Sequence, residues 1–247
     1  MGAMPTMDAA HAFALDVTQV KDKAGLADLL LETCARMGCS WFALSHHIDF
    51  LAAPDRGIRI HNYPEEWENW FDEKRLGLTD PVHRESQRNM AGFLWRDMKP
   101  DRPEDEVILA EARRHGIGDG LTVPAHLPGH AHGSVSFAWK PGAAASADAL
   151  QFARMIGGAA FDAARLIAYP DLATIAPRLT CRQREVLIWA AKGETNRRIA
   201  LRLGLSQDTV REHLRNARQR YEANGGITLT VRALYDGDIS FEDIAKR

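Results

Sequence analysis

Apolar positions recur at helical spacing through "KAGLADLLLETCARMGC" (Leu26, Leu29, Leu30, Cys34, Met37) and predict an amphipathic helix after a polar N-terminal lead. "WFALSHHI" and "GIRIHNY" read as strands flanking the turn-rich "DFLAAPDRG". Pro64 opens a helix, "PEEWENWFDEKRL", with Glu65 and Glu66 placed for its N-terminal dipole. A short strand "GFLW", a helix from about Pro103 to His115, a hairpin pair "LTVPAHL" and "GSVSFAWK", and a long helix capped by Ser146 follow. Grouped strands with helices around them predict an antiparallel sheet sandwiched by helices.

After "PDLATIAPR" the pattern is helical throughout. Thr180 and Gln183 fit a capping box for a helix burying Val186, Leu187 and Ala190. A second helix, Thr195 to Leu203, places Ile199 and Leu203 on one stripe. Gly204-Leu205-Ser206 then supplies a turn, a core plug and the next N-cap. On the third helix, from Gln207 to about Tyr221, Val210, Leu214, Ala217 and Tyr221 form one stripe and Arg211, Arg215 and Arg218 another, about a quarter turn apart. The expected fold class is α+β: an N-terminal α-β-α sandwich with an antiparallel sheet, plus an all-α helix-turn-helix C-terminal domain. The expected division is a sensor domain over 1–169, a linker over 170–177 and a DNA-binding domain over 178–247.

Charge sharpens this division. From Arg178 to Arg220 eleven Arg/Lys face four Asp/Glu, a net of +7, leaving −9 for the rest of a chain whose formal total is −2. A basic segment on an acidic body points to a separate module that meets a polyanion. No apolar run approaches the roughly 20 residues that span a bilayer, and the opening "MGAMPTMDAAHAFALD" lacks the layout of an export signal. Three scattered cysteines, Cys34, Cys39 and Cys181, fit buried thiols in a reduced cytoplasm. His126, His130 and His132 raise a metal site, but they sit in a hairpin loop without a carboxylate or thiol; no metal or cofactor is expected. Neither a G-x-S-x-G elbow nor an H-x-H-x-D-H-type motif is present, so no enzyme is expected.

"LTCRQREVLIWAAKGETNRRIALRLGLSQDTVREHLRNARQRY" resembles the helix-turn-helix of LuxR-type transcriptional regulators. The resemblance implies base-edge contacts from Arg211 and Arg215 and phosphate contacts from Lys192, Thr195, Thr209 and Arg218. Two departures stand out: Arg198 where the family usually has Glu, and "ANGGITL" before a last, dimerising helix expected from about Thr228 to Tyr235. Upstream, "NYPEEWENWFDEKRLGLTDPV", "GFLW" and "GIGDGLTVP" resemble the acyl-homoserine-lactone-binding domain of quorum-sensing members, through the joint pattern Tyr-x3-Trp-x12-Asp-Pro-x13-Trp. Such a ligand offers an amide N–H, two carbonyls and an apolar tail, so its site needs one acceptor, two donors and aromatic walls.

By that resemblance Asp80 accepts from the amide, Trp95 donates to the lactone carbonyl, Tyr63 donates to the acyl carbonyl, Trp67 and Phe71 wall the pocket, and Gly120 lies beside the lactone. Spacing alone favours reading Tyr63, Trp67, Trp70 and Phe71 as plain core aromatics and Asp80 as a turn or cap residue, and only the joint pattern overturns this. Simple alignment puts Trp139 where relatives carry a small hydroxyl residue, with Ser136 nearby. Either the loop shifts the register or an indole shortens the tail cavity. The resemblance implies a cytoplasmic homodimer that binds an N-acyl- or aryl-homoserine lactone autoinducer and dyad-symmetric double-stranded DNA, with RNA polymerase a candidate further partner and no membrane. The alternative is an orphan regulator sensing another small molecule or none.

Overall fold

The computed structural model describes residues 6–52, 57–126, 131–170 and 179–245. These divide into two compact units, 6–170 and 179–245. The segment expected as a linker lies, apart from Pro170, outside the described residues, as does His130.

The N-terminal unit is built on five strands: β1 (Trp41–His46), β2 (Arg59–His61), β3 (Phe93–Leu94), β4 (Gly120–Ala125) and β5 (Gly133–Ala138). They form one antiparallel sheet in the order β2-β1-β5-β4-β3. Strand alternation gives the sheet two unlike faces. Phe42, Leu44, Ile60, Leu121, Val123, Val135 and Phe137 point to one side. There they pack against α1 (Met7–Asp16), α2 (Lys23–Met37) and α6 (Ala147–Ala168) in the main core. The opposite face meets α3 (Glu65–Glu73), α4 (Pro81–Arg88) and α5 (Pro103–Arg114), with Ala138 in a smaller core beside Trp67, Ile108 and Ile117.

Local chemistry explains the helix boundaries. Asp22 accepts from the Gly25 amide at the start of α2, and Gly38 closes it in the left-handed region at φ 72°. Ser146 accepts from Ala149 to open α6. Two elements correct the sequence reading. The N-terminal "lead" is the helix α1, capped by Thr6, whose Ala10 and Phe13 join the core. Between α3 and β3 stands α4, eight residues long, which the pattern of "PVHRESQR" does not disclose. Cys34 and Cys39 are buried and Cys181 is exposed; all three are free thiols.

The C-terminal unit contains α7 (Cys181–Ala191), α8 (Asn196–Leu203), α9 (Gln207–Arg220), α10 (Gly226–Tyr235) and α11 (Phe241–Ile244). The Thr180–Gln183 capping box forms in both directions. Thr195 and Ser206 cap α8 and α9, and Gly204 turns the chain between them at φ 65°. Val186, Ile199, Ala200 and Val210 make one small core, and Leu187, Ala217, Tyr221, Leu229 and Ala233 a second, with Leu214 touching both. Helix α10 begins two residues ahead of its expected start. Asp238 ties the unit's ends by accepting from the Leu179 amide and the Tyr221 hydroxyl, each at 2.6 Å.

Candidate functional sites: an enclosed cavity and a basic helix

Between the sheet and α3, α4 and α5 lies a cavity of about 830 Å³, counting its mouth. The structure brings Tyr63, Trp67, Phe71, Asp80, Trp95 and Ser136 together in its wall. Trp67 stacks on Trp70 with centroids 5.3 Å apart, and Phe71 meets His83 edge-on at 5.7 Å. The aromatic cluster is therefore both core and cavity wall.

Asp80 also has two roles. Its Oδ1 accepts from the His83 amide at 2.9 Å, capping α4 ahead of Pro81. Yet the residue is buried in the cavity wall, and burial pushes its carboxyl above the ordinary range, with His83 and Arg84 only partly opposing that. Burial, followed by the nearby Asp80, likewise pushes the Tyr63 phenol up, so it stands as a neutral donor. Trp95 Nε1 donates to Thr122 Oγ1 at 2.8 Å, and that hydroxyl is 2.8 Å from Ser136 Oγ.

Gly120 is not in the cavity wall. A Cβ there would fall 2.6 Å from the Trp95 ring, so the glycine makes the seat for the indole. Gly77, which does line the cavity, lets the backbone approach Ile48: a Cβ would lie 1.8 Å from the Ile48 carbonyl oxygen. Trp139 belongs to the main core on the sheet's other face. Strand register thus gives the cavity Ser136, and the indole does not shorten it.

Several lining residues have no counterpart in the sequence reading. Ser45, Arg59, His61 and Ser134 reach the cavity from β1, β2 and β5. Arg59 pairs with Asp72 at 2.7 Å and Glu68 at 3.2 Å, and His61 Nε2 lies 3.2 Å from Glu68. His61 Nδ1 accepts from the Tyr63 amide, which leaves Nε2 to carry the proton toward Glu68. His47 stacks on His83 at 3.9 Å and shares a 2.9 Å hydrogen bond with Ser134. Strand alternation was the available signal within β5, where Ser134 and Ser136 share one parity, and the β1–β5 register sets Ser45 opposite Ser134 on the same face.

Burial, reinforced at His47 by neighbouring histidines, holds both His47 and His61 below the usual imidazole value of 6.5. Depressed folded values mean that the unfolded chain takes up these protons first. Their contribution to stability is full above about pH 6.5 and is lost as pH falls through the depressed folded values. The melting temperature of the N-terminal unit is expected to fall steadily from pH 7 to 5.5; a flat profile in pH-dependent thermal melts contradicts this.

Among the described residues, no group of three His, Cys, Asp or Glu could hold a metal ion. His126 and His132 face each other at 3.1 Å, and His126 engages the Ser86 carbonyl.

In the C-terminal unit Arg211, Arg215 and Arg218 border one shallow groove along α9, with Asn196 and Asp208. Arg211 pairs with Asp208 at 2.5 Å and Arg215 with Glu212 at 3.5 Å, all four exposed. Thr195 and Thr209 stand at the N-terminal ends of α8 and α9, where free amides favour anions. Lys192 lies 4.8 Å over the Trp189 ring. Arg198 pairs with Glu194 at 3.3 Å and is 71% exposed, so its charge stays at the surface.

A family model for the autoinducer binding domain matches residues 22–164, and one for the LuxR family of bacterial regulatory proteins matches 177–233. The chain belongs to the LuxR family. Its relatives include the transcriptional activator AnoR of Acinetobacter nosocomialis, 23% identical over 88% of this chain and 93% of that one. The activator LuxR of Aliivibrio fischeri is 27% identical over 76% of each. These relatives are regulators, not enzymes, and this LuxR-family chain is an autoinducer-binding transcription regulator. Its fold resembles crystalline Escherichia coli SdiA (TM-score 0.64, 21% identity, covering 94% of this chain and 98% of that one). It matches SdiA in complex with octanoyl-rac-glycerol equally well, at TM-score 0.64. No described helix is long and apolar enough to cross a membrane.

Proposed function

We propose that the chain is a cytoplasmic quorum-sensing transcription factor. It binds an N-acyl- or aryl-homoserine lactone in the cavity and dyad-symmetric promoter DNA through α9, as a homodimer. The observation that carries this reading is the convergence of Asp80, Tyr63 and Trp95 on one aromatic-walled space. One acceptor and two donors match one amide N–H and two carbonyls. Trp95 turns its N–H from Thr122 to the lactone, and Asp80 offers its second oxygen to the amide.

The sensor spans 1–169, the linker 170–177 and the DNA module 178–247. Exposed Met155 and Leu166 on α6, and Ile227 and Val231 on α10, supply apolar surface for pairing two copies. Paired modules then read half-sites about one helical turn apart.

Ligand that binds only the folded state raises its stability by RT ln(1 + [L]/Kd). Melting the full chain against a panel of lactones therefore tests the reading: a concentration-dependent rise supports it, and no rise with any lactone sinks it. Octanoylglycerol belongs in the panel as the rival chemistry, given the SdiA complex. For DNA, Arg211→Ala and Arg215→Ala are each expected to weaken operator binding by about 1–2 kcal/mol and to relax base preference. Anisotropy titrations check this; a uniform loss across sequences with a shallower salt slope reassigns them to phosphates.

A further inference from the structure

Trp95 stands on a slight support: a single 3-10 turn, Trp95–Asp97, with no side-chain cap. Such a turn has poor hydrogen-bond geometry and little stability of its own. The indole is held by the bond from its Nε1 to Thr122 Oγ1. An indole has one N–H. When Trp95 turns that N–H to a ligand the Thr122 bond is given up, and the aim of the ring then depends on the backbone beneath it.

The antiparallel register of β3 on β4 pairs Phe93 with Thr122 and Leu94 with Leu121. Carried past the end of β3, it sets Trp95 against Gly120 and Arg96 against Asp119. Both contacts form. The indole lies on Gly120, where a Cβ would fall 2.6 Å from the ring, and Arg96 Nη1 donates to Asp119 Oδ2 at 3.0 Å. The same Nη1 donates to the Ala145 carbonyl at 2.6 Å, while Asp119 Oδ2 accepts from the Ala145 amide at 3.0 Å. Ala145 is buried in the main core and precedes Ser146, the cap of α6. One guanidinium and one carboxylate thus fasten the Trp95 turn to the glycine floor and both to the start of a long core helix.

Neither Arg96 nor Asp119 lines the cavity. The Arg96 side chain is 45% exposed, and so open a pair adds little to stability. What it supplies is placement. Resting on the lactone reading above, we propose that Arg96, anchored by Asp119 and Ala145, is a positioning residue for Trp95 and sets how strongly the site recognises a ring carbonyl on the ligand's head. Arg96 touches no ligand. It keeps the turn that carries the indole against the floor on which the indole lies, so the N–H released from Thr122 meets the carbonyl in one orientation. Losing Arg96 therefore falls on that single ligand group and spares the amide and tail contacts at Asp80, Tyr63 and the aromatic walls.

The test measures Kd by calorimetry on the full chain for matched pairs of probes, an N-acyl-homoserine lactone and the N-acyl-cyclopentylamide with the same tail, using hexanoyl, octanoyl and 4-hydroxycinnamoyl tails. The cyclopentylamide keeps the amide, the tail and a five-membered ring but lacks the lactone's carbonyl and ring oxygen. The wild-type chain is expected to prefer the lactone by about fivefold or more, the worth of one hydrogen bond. In Arg96→Met that preference should fall to within about twofold, through weaker lactone binding, while the cyclopentylamide Kd moves by less than about twofold. Arg96→Lys keeps a donor opposite Asp119 and should recover part of the preference. If Arg96→Met does not fold, the milder Asp119→Asn should lower the preference by at least about twofold. An equal loss on both probes makes Arg96 a support of the fold and overturns the proposal. So does a preference that the folded variants leave unchanged, or a wild-type chain with no preference, and in each case the acyl amide still binds. Binding of no probe at all overturns the lactone reading and the proposal with it.

Discussion

Replacing Arg84 by Met is expected to destabilise the N-terminal unit by about 3 kcal/mol, read from chemical denaturation at pH 7. Arg84 lies on α4 and forks onto Asp105 of α5, NH1 to Oδ1 at 3.0 Å and NH2 to Oδ2 at 2.7 Å, while also reaching the Thr79 carbonyl and Asp101. Asp105 is 1% exposed, so removing the guanidinium strands a buried carboxylate. The loss sits at the low end for broken buried pairs because the Asp101 and Arg102 amides still donate to Asp105 Oδ2 at 3.1 Å. Adding Asp105→Asn to Arg84→Met removes the stranded charge and keeps the cap, so it should recover much of the loss. If the double variant is no more stable than the single one, the cost came from packing.

The same pair predicts an acid limb. Its hydrogen bonds hold Asp105 below the usual carboxylate range. Its contribution is full above about pH 3.8 and is lost as pH falls through the depressed folded value. Functionally, the pair clamps together α4 and α5, two of the three helices that line the cavity opposite the sheet. Asp80 caps the first and Ile108 projects from the second. Loosening it should therefore weaken ligand binding without touching ligand.

Legibility in the sequence follows the physics of each element. Helix α6 announces itself through a 22-residue apolar stripe and a serine cap, and the C-terminal helices through their caps, Gly204 turn and arginine spacing. Helix α1 buries few large side chains, and α4 buries only Pro81, Val82 and Ser86, so neither produces a readable period. Helix α4 is instead fixed by its Asp80 cap, its Pro81 start and the Arg84 clamp, whose partners lie 17 and 21 residues away and leave no periodic trace. At the site, no single aromatic is diagnostic, because Trp67 and Phe71 face the cavity while packed as core. Only the joint spacing of Tyr63, Trp67, Asp80 and Trp95 distinguishes them. Ser45 and Ser134 escape that pattern although strand parity places them beside Ser136, and Gly120 acts through the indole it seats.

Asp80→Asn should separate folding from binding. Asn caps a helix about as well as Asp, so the bond from the His83 amide to Oδ1 survives. Burial raises the folded carboxyl above its unfolded value near 3.8, so the fold favours the protonated form. Asp80's contribution to stability is therefore full below about pH 3.8 and declines as pH rises through the raised folded value. Above that raised value the empty wild-type site bears a buried charge that the amide variant lacks, so there the variant should melt at or above the wild-type temperature and lose that part of the decline. Lactone binding should move the other way. At a pH above the raised folded value the ligand's amide N–H loses a charged acceptor, worth about 2–3 kcal/mol or roughly 30- to 150-fold in Kd. Stable protein that binds lactone poorly assigns Asp80 to the ligand. Equal affinity in the two proteins makes it a cap and nothing more, and a variant that loses stability and binding together makes it a residue of the fold.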